Sequence, residues 1–453
     1  MMRRSALVVL SILAISCSAI RATPEPSELA SVTPSVVPSA VATPTFGPTP
    51  SPEMTSTPEA TESTSPSSLP TPPLATPIGP SPSASSATDA TTLDPDEIRT
   101  IPIDVADGYP GTFAQEDSRV AFLTSTFKDT REVTSVVLAD VATGETTTIA
   151  QTHGRERILS VDLSGNYLVW ATGRWEYPST GNIPCGEGGP MSWAVFARDL
   201  ASGVDNQLAA GTNTDYEGCG AFFASISIDG DLVAYAVEDH AKASNNASTI
   251  VVRSLSSGEV VRTIDTDLYV EQVDLSGDDV AFIAGRLSDD PYADLDSPRL
   301  GVSTADSPAI SWIAKDQYVD TLSFSNGRLA WLAYLDNSEQ IWTADVRDLK
   351  PVALTNDGDR RYSDPYSTGD YVTWVEASRG ANFGTQIDIW SREDSAIHSV
   401  VPFPYGIDPG QGEVWTSSSS GDWLVWAGSI YQSATEMTEV LQGCPMSDAV
   451  GLP

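Results

Sequence analysis

One short motif recurs seven times along most of this chain. It joins a turn, usually one with Gly, to an apolar stretch that ends on an aromatic residue. The copies end at Phe122, Trp170, Tyr235, Phe282, Trp331, Trp374 and Trp426. The intervals between these residues run from 43 to 65 positions. Repetition at this period indicates a chain built from repeated structural units of about fifty residues, each packed on its neighbours.

The pattern inside each unit is typical of strands. Apolar and polar residues alternate before the turn, as in 159–163 (Leu-Ser-Val-Asp-Leu) and 224–228 (Ala-Ser-Ile-Ser-Ile). A second hairpin usually follows, with a turn such as 142–145 or 256–259. No stretch shows sustained helical periodicity. Four antiparallel strands per unit, repeated seven times, predict an all-β fold, a seven-bladed β-propeller.

The two ends of the repeat region predict how the ring closes. After Trp426 only one further strand is indicated, at 438–441, whereas 98–105 is a strand with no unit before it. We therefore expect the N-terminal strand to complete the last blade, which removes an exposed sheet edge.

The first residues have the pattern of an export signal. Arg3 and Arg4 precede an apolar run at 6–15, which is too short to span a bilayer of about 30 Å. Residues 13–17 (Leu-Ala-Ile-Ser-Cys) resemble the bacterial lipobox, although Ala14 is a less usual residue there than Leu. The resemblance implies a lipoprotein signal peptide at 1–16, acylation of Cys17 and an outward-facing protein held on the cell envelope by its lipid. Plain secretion, with cleavage near Ala19 or Ala22, is the alternative.

The segment 17–97 predicts a disordered linker. It is dominated by Pro, Ser, Thr and Ala, contains no Lys, and has Phe46 as its only aromatic residue. Such a composition buries too little apolar surface to offset the entropy of ordering. Its frequent Pro favours an extended, semi-rigid spacer ahead of a propeller domain at 98–453.

Charge excludes one class of partner. The chain has a net charge of -37, and residues 98–453 hold 52 acidic against 21 basic residues. Such a surface repels phosphate backbones, so nucleic-acid binding is excluded and cationic or neutral partners are favoured. Three histidines also make a site built on several imidazoles improbable.

The repeats resemble the TolB-like, WD40-like propeller repeats of bacterial envelope proteins. The clearest copy has Leu-Thr-Asn-Asp-Gly at 354–358, Asp-Pro-Tyr-Ser-Thr-Gly-Asp at 364–370, and Trp374. The other six copies keep the aromatic residue but largely lose the Pro and the strict Asp-Gly. The resemblance covers about 355 residues and implies the fold; it implies little about activity.

Enzyme motifs of known propeller proteins are missing from the sequence. There is no Gly-x-Ser-x-Gly elbow of a serine hydrolase, and 227–230 (Ser-Ile-Asp-Gly) does not fit a sialidase Asp-box. We therefore favour a non-catalytic scaffold that binds a protein or ligand. The alternative is a hydrolase or lyase acting on an extracellular glycan, with two carboxylates near the channel as acid and base. Paired carboxylates of raised pKa in the central pocket would favour the enzyme.

Aromatic residues in blade joins and in one long insertion suggest a ligand-binding face. The candidates are Tyr109, Trp175, Tyr177, Tyr216, Tyr269, Tyr318, Tyr362 and Tyr405. With nearby carboxylates they could bind a sugar, a peptide or a cation. Tyrosines that only cap contacts between blades are the structural alternative.

Cysteines and one aspartate cluster complete the candidate sites. In an exported protein we expect a disulfide between Cys185 and Cys219, leaving Cys444 over. The blade 4 insertion offers oxygen ligands of the kind calcium prefers, but it lacks the Gly and the terminal Glu of an EF-hand loop. These weak calcium candidates are Asp289, Asp290, Asp294 and Asp296. No resident cofactor is predicted, and the chain is expected to be a monomer that meets the membrane only through its lipid.

Overall fold

In the computed structural model, the described residues are 91–93, 98–103, 113–128, 131–175, 190–213, 223, 225–238, 247–287, 295–314, 317–335, 338–378, 384–402, 411–433 and 436–450. They all belong to one compact unit, Thr76–Pro453. Cys17, and the signal and linker predicted around it, lie outside the described residues.

Strands dominate the described part of the chain. Two short strands precede the first repeat: β1 (Thr91–Thr92) and β2 (Arg99–Pro102). The first two blades are β3 (Phe113–Glu116), β4 (Arg119–Lys128), β5 (Arg131–Asp140), β6 (Glu145–His153), then β7 (Glu156–Ser164), β8 (Tyr167–Trp175), β9 (Met191–Asp199), β10 (Val204–Asn213). The next two are β11 (Ser227–Asp229), β12 (Leu232–Glu238), β13 (Ser248–Ser254), β14 (Val260–Thr266), then β15 (Tyr269–Ser276), β16 (Asp279–Leu287), β17 (Leu295–Ser303), β18 (Ser311–Ile313).

The last three blades follow the same order. Blade 5 is β19 (Tyr318–Ser325), β20 (Arg328–Leu335), β21 (Ser338–Asp345), β22 (Val352–Ala353). Blade 6 is β23 (Arg360–Ser367), β24 (Tyr371–Ser378), β25 (Gln386–Ser391), β26 (Ile397–Val401), and blade 7 is β27 (Gly412–Ser420), β28 (Trp423–Ser433), β29 (Glu436–Pro445). These strands form seven separate sheets, so the predicted seven-bladed β-propeller is confirmed.

The first strand of each blade is the innermost one. These seven strands contact one another in cyclic order, and β27 contacts β3, which makes the arrangement a ring. One compact core cluster lies in each of the seven joints between blades. The recurring aromatic residue of each blade lies in the cluster shared with the preceding blade. Its role is therefore to fill that joint, where burial of apolar surface stabilises the ring.

Glycine recurs in the motif because the innermost hairpin needs a positive φ. Gly165, Gly230 and Gly421 have φ angles of 54°, 57° and 54° at this turn. The first blade lacks the glycine, and there Asp117 has a φ of 53°. Asp tolerates the left-handed conformation better than most residues, so the first blade can form the same turn without glycine.

The N-terminal strand closes the ring as expected. Strand β2 pairs antiparallel with β29, with Thr100 opposite Gln442. Gln442 accepts a hydrogen bond from Trp426 Nε1 at 2.9 Å and donates one to Thr100 Oγ1 at 2.9 Å. The fourth strand of blade 7 thus comes from the other end of the propeller sequence.

A further strand lies within the segment predicted as linker. Strand β1 pairs in parallel with β26, so blade 6 has five strands. The apolar Leu93 that follows β1 is buried against Val400 and Ile387 of this blade. This burial gives the end of the predicted linker a place on the sheet.

The described chain ends in α1 (Met446–Val450), which packs between blades 6 and 7. Among the described residues, no helix is long and apolar enough to cross a membrane.

Candidate functional site: the central channel

All seven blades line one cavity on the axis of the ring. Its volume is about 550 Å³, which is within the usual size range of small-molecule pockets. The innermost strands and their glycine turns form its wall. Side chains on these strands therefore decide what the cavity can hold.

Two positions on each innermost strand face the following blade. The hairpin registers align them as two rings. The middle ring is Ala114, Asp162, Ser227, Asp274, Ser323, Tyr366 and Ser418. The mouth ring, beside the glycine turns, is Glu116, Ser164, Asp229, Ser276, Ser325, Thr368 and Ser420.

Middle-ring side chains accept hydrogen bonds from backbone N–H groups of the next blade. Four such bonds join consecutive blades. They run from Ile228 N to Asp162 Oδ2 (2.8 Å), Leu275 N to Ser227 Oγ (3.1 Å), Phe324 N to Asp274 Oδ2 (2.7 Å) and Ser367 N to Ser323 Oγ (3.0 Å).

Mouth-ring side chains repeat this arrangement at the turns. Five hydrogen bonds of this kind are present. They run from Gly165 N to Glu116, Gly230 N to Ser164 Oγ (3.1 Å), Gly277 N to Asp229 Oδ2 (2.6 Å), Gly327 N to Ser276 Oγ (2.8 Å) and Asp117 N to Ser420 Oγ (3.2 Å). An innermost strand has an unpaired edge, and the side chains of the preceding blade satisfy its donors.

Two aspartates of the middle ring have strongly raised pKa values. Burial, together with the nearby charge of Asp274, raises the pKa of Asp162 to about 7. Burial likewise raises the pKa of Asp274 to about 7, against the lowering effect of its hydrogen bond from Ser227. Ser227 lies between them and donates to Asp274 Oδ1 over 2.7 Å. The pair of carboxylates of raised pKa that was a criterion for an enzyme is therefore present.

Both oxygens of each of these aspartates already have partners. Asp162 accepts from Leu163 N at Oδ1 and from Ile228 N at Oδ2. Asp274 accepts from Leu275 N and Ser227 at Oδ1 and from Phe324 N at Oδ2. The two carboxylates are thus built into the joints between blades.

Tyr366 is the large member of the middle ring. It follows Asp364, whose φ of 50° accompanies a register irregularity in the β23–β24 pair. Its hydroxyl donates a long hydrogen bond of 3.4 Å to the backbone oxygen of Gln115 in blade 1. Burial, with Asp162 and Asp274 nearby, raises the pKa of the phenol, so this group stays protonated.

The mouth of the cavity is acidic. Four carboxylates lie there, from Glu116, Asp117, Asp229 and Asp370, and each is exposed or half-buried. With Asp162 and Asp274 this makes six carboxylates on the wall, and no Lys, Arg or His is among the described residues that line it. Burial raises the pKa of Glu116 despite its hydrogen bond from Gly165.

None of the four aromatic candidates that the structure describes lines this cavity. Tyr269 and Tyr362 are buried at 3% and 5% exposure. Tyr318 is 40% exposed and lies edge-on to Tyr334, with ring centroids 5.8 Å apart. Trp175 is half-buried, with the guanidinium of Arg157 5.9 Å from its ring centroid. The remaining candidates lie outside the described residues: Tyr109, Tyr177, Tyr216 and Tyr405. Ligand binding by this set stays a prediction.

The cysteine and calcium candidates fall largely outside the described residues. Cys185 and Cys219 are not described, and Cys444 is fully buried in the core between blades 6 and 7. Of the four aspartates only Asp296 is described; it is exposed and lies opposite Arg286 in the register of β16 and β17. The described residues contain no group of three or more acidic, His or Cys side chains placed to hold a metal ion.

The two rings were not foreseen from the sequence, although a signal for them exists. Ser160, Asp162 and Ser164 occupy alternate positions before the first glycine turn, and Ser225, Ser227 and Asp229 repeat the pattern. From the sequence, such alternation indicated only that these segments are strands.

Comparisons with known proteins agree on the fold. No family model matches the chain, and no curated protein matches it in sequence. Among solved structures it is similar to the β-propeller domain of the trilobed protease from Pyrococcus furiosus, with 10% identity, a TM-score of 0.49, and coverage of 78% of this chain and 100% of that one.

Two enzyme structures are also similar. Prolyl endopeptidases match with 12% identity and a TM-score of 0.50 over 75% of this chain and 47% of theirs. Oligogalacturonate lyase in complex with manganese matches with 12% identity and a TM-score of 0.46 over 78% of this chain and 98% of that one. This chain thus spans about half the length of the prolyl endopeptidases. At such identities the likeness is one of fold alone, that of a seven-bladed β-propeller.

Proposed function

We propose that the chain is an exported lipoprotein of TolB-like type, anchored to the cell envelope through Cys17, whose propeller binds a protein, peptide or glycan partner without catalysis. The observation that carries this proposal is the use of the channel carboxylates. Asp162 and Asp274 accept backbone N–H groups at both oxygens, so they hold neighbouring blades together. A general acid or base needs an oxygen within reach of the substrate.

Partner capture tests the binding role. The mature chain, immobilised through its C-terminus, is exposed to envelope extract from its own source and, separately, to a glycan array. We expect specific retention of one partner or one glycan class at physiological salt. Failure to retain anything above the level of a heat-denatured sample would contradict the proposal.

The anchor is tested separately. Cys17→Ser removes the thiol that acylation requires, so we expect the protein to move from the membrane fraction to the soluble exported fraction and to lose fatty-acid labelling. Cys444→Ser is the matched control and should leave both unchanged. A Cys17→Ser protein that stays labelled and membrane-bound would contradict lipid anchoring.

A glycan hydrolase or lyase is the second candidate, because the pKa of about 7 of Asp162 and Asp274 suits proton transfer near neutral pH. The test is release of reducing or unsaturated sugar ends from a panel of acidic and neutral polysaccharides. Activity that is lost in both Asp162→Asn and Asp274→Asn would favour the enzyme. Absence of release by the folded wild-type chain would remove it.

A further inference from the structure

Many backbone N–H groups in the wall of the central cavity already donate hydrogen bonds within the protein, so they are not available to a ligand. In the middle ring, Ile228, Leu275, Phe324 and Ser367 each donate their backbone N–H to a side chain of the preceding blade. At the mouth, the turn N–H groups of blades 2 to 5 and of blade 1 do the same. The side chains of this wall are rich in carboxylates and hydroxyls, and these backbone donors are already bonded. The wall therefore offers mainly hydrogen-bond acceptors to a ligand.

The charge of the cavity agrees with this. Six carboxylates line it, and none of the described residues on its wall is basic. The charge comes mainly from the four at the mouth, since Asp162 and Asp274 have pKa values of about 7. In a concave site with walls of low dielectric, such an arrangement focuses a negative potential on the opening. The four mouth carboxylates are exposed or half-buried and so can meet a ligand directly.

Tyr366 gives an independent indication, because its side chain is half-buried and so keeps surface open to the cavity. The ring of Tyr366 lines the same cavity and adds an aromatic surface, which attracts cations.

We propose that the central cavity binds an organic cation carrying a primary ammonium or guanidinium group, which enters beside Glu116, Asp117, Asp229 and Asp370. Such a group brings several N–H donors, positive charge and no acceptor, which complements this wall. The inference rests on the proposed binding role and gives it a ligand chemistry. The group can come from a free polyamine or from a Lys or Arg side chain of a protein partner.

Calorimetric titration of the mature chain tests this at pH 7 and low salt. The probes are spermidine, a blocked tetralysine peptide and a blocked tetraglutamate peptide. We expect binding of at least one of the two cations, weakened tenfold or more in 300 mM NaCl, and no binding of tetraglutamate. Spermidine alone identifies a free amine as the source, and tetralysine alone identifies a partner's side chain.

A matched pair of variants separates a site from a general field. Asp117→Asn/Asp229→Asn/Asp370→Asn removes three mouth charges; Asn tolerates the positive φ of Asp117 and keeps an acceptor for Gly277. Asp278→Asn/Asp306→Asn/Asp422→Asn removes three exposed charges from residues that are not among those lining the cavity. The mouth variant should bind the cation at least tenfold more weakly, the control within twofold of wild type, with both melting like wild type.

Equal weakening in the two variants, or no binding of either cation by wild type, would overturn the inference. The proposed binding role fails by a different result. If envelope extract yields a partner that the wild type and the mouth variant retain equally, the proposed binding role is supported and the cation site is contradicted. If nothing is retained from extract or array while spermidine binds at the mouth, the cation site stands and the wider binding role falls.

Discussion

Ser227 donates a hydrogen bond of 2.7 Å from its Oγ to Oδ1 of Asp274, and the same Oγ accepts from Leu275 N at 3.1 Å. One small side chain of blade 3 therefore satisfies both a carboxylate and a backbone donor of blade 4. The joints between blades depend on such polar bonds as well as on their apolar cores.

Ser227→Ala should destabilise the propeller because it removes, at a buried position, the hydrogen bonds that Ser227 Oγ makes with Asp274 Oδ1 and Leu275 N across the joint. The expected loss is about 1–3 kcal/mol in the free energy of unfolding. Urea denaturation measures it, with Ser307→Ala, an exposed position, as the control. Equal midpoints for the two variants would contradict a stabilising role for these bonds.

Stability should fall as pH rises from about 4 to 7. Asp162 and Asp274 keep their protons up to a pKa of about 7 in the folded protein, whereas ordinary aspartates lose theirs near 4. In this window the folded state binds more protons than the unfolded state, so raising the pH favours unfolding. Melting temperatures between pH 5 and 8 measure the slope.

The double variant Asp162→Asn/Asp274→Asn isolates this effect. It lacks both titrating groups, so its melting temperature should change less between pH 5 and 8 than that of wild type. The prediction is wrong if wild type shows no loss of stability over this range, or if both proteins show the same slope.

Gln442→Ala should destabilise more than Thr100→Ala. Gln442 Oε1 accepts from Trp426 Nε1, and Trp426 is fully buried, so its donor would be left unsatisfied at a cost of about 1–3 kcal/mol. Thr100 is exposed, and its loss leaves water to replace it. Chemical denaturation of both variants compares the two effects, and a reversed order would count against the bridge.

A chain that begins at Gly108 lacks β2 and exposes the edge of β29. We expect a lower melting temperature and association through the new edge, since unpaired edges recruit other strands. Size-exclusion chromatography with light scattering measures the association. A monomeric truncated protein that melts like the mature chain would show that β2 does not close the ring.

The large side chain of Tyr366 should fill space that two small serines of blade 7 leave open. On β27, Ser417 and Ser419 occupy the register positions of Val161 and Leu163 on β7, and Tyr366 takes a place that holds Ser in three other blades. Tyr366→Ser alone should therefore destabilise the propeller, because it removes the packing contacts of a large half-buried ring.

Adding Ser417→Val and Ser419→Leu to Tyr366→Ser recreates the residue types of the other joints. Part of the lost stability should return in this triple variant. Urea midpoints of the single and triple variants decide the question, and a triple variant less stable than the single one would contradict size compensation.

The architecture follows from the sequence because its signals are local and repeated. A turn with positive φ, made by glycine in six of the seven copies, recurs with alternation before it and an aromatic residue after it, and these features position the innermost hairpins. The expected closure by residues 98–105 also holds, because the N-terminal strand belonged to no unit and the last unit lacked a fourth strand. Strand β1 escaped prediction, since two threonines in a Pro-rich segment carry no periodicity.

The channel was less predictable, because a polar residue on alternate positions faces either water or another strand edge. Asp162 and an exposed aspartate look alike in sequence; the following blade makes the difference. Tyr269 and Tyr362 illustrate the same limit, since their spacing from the aromatic residue placed them in blade joins but could not say that they are buried.

Thr100 and Gln442, 342 positions apart, also set the order of events during synthesis. Strand β2 leaves the ribosome early, but its partner β29 is made among the last residues. Blade 7 cannot be completed while the chain is growing. The ring formed by the other six blades therefore stays open until the final strand has been made. Closure of so long a loop is a late step, and until then the unfinished ring exposes edges that are prone to aggregation.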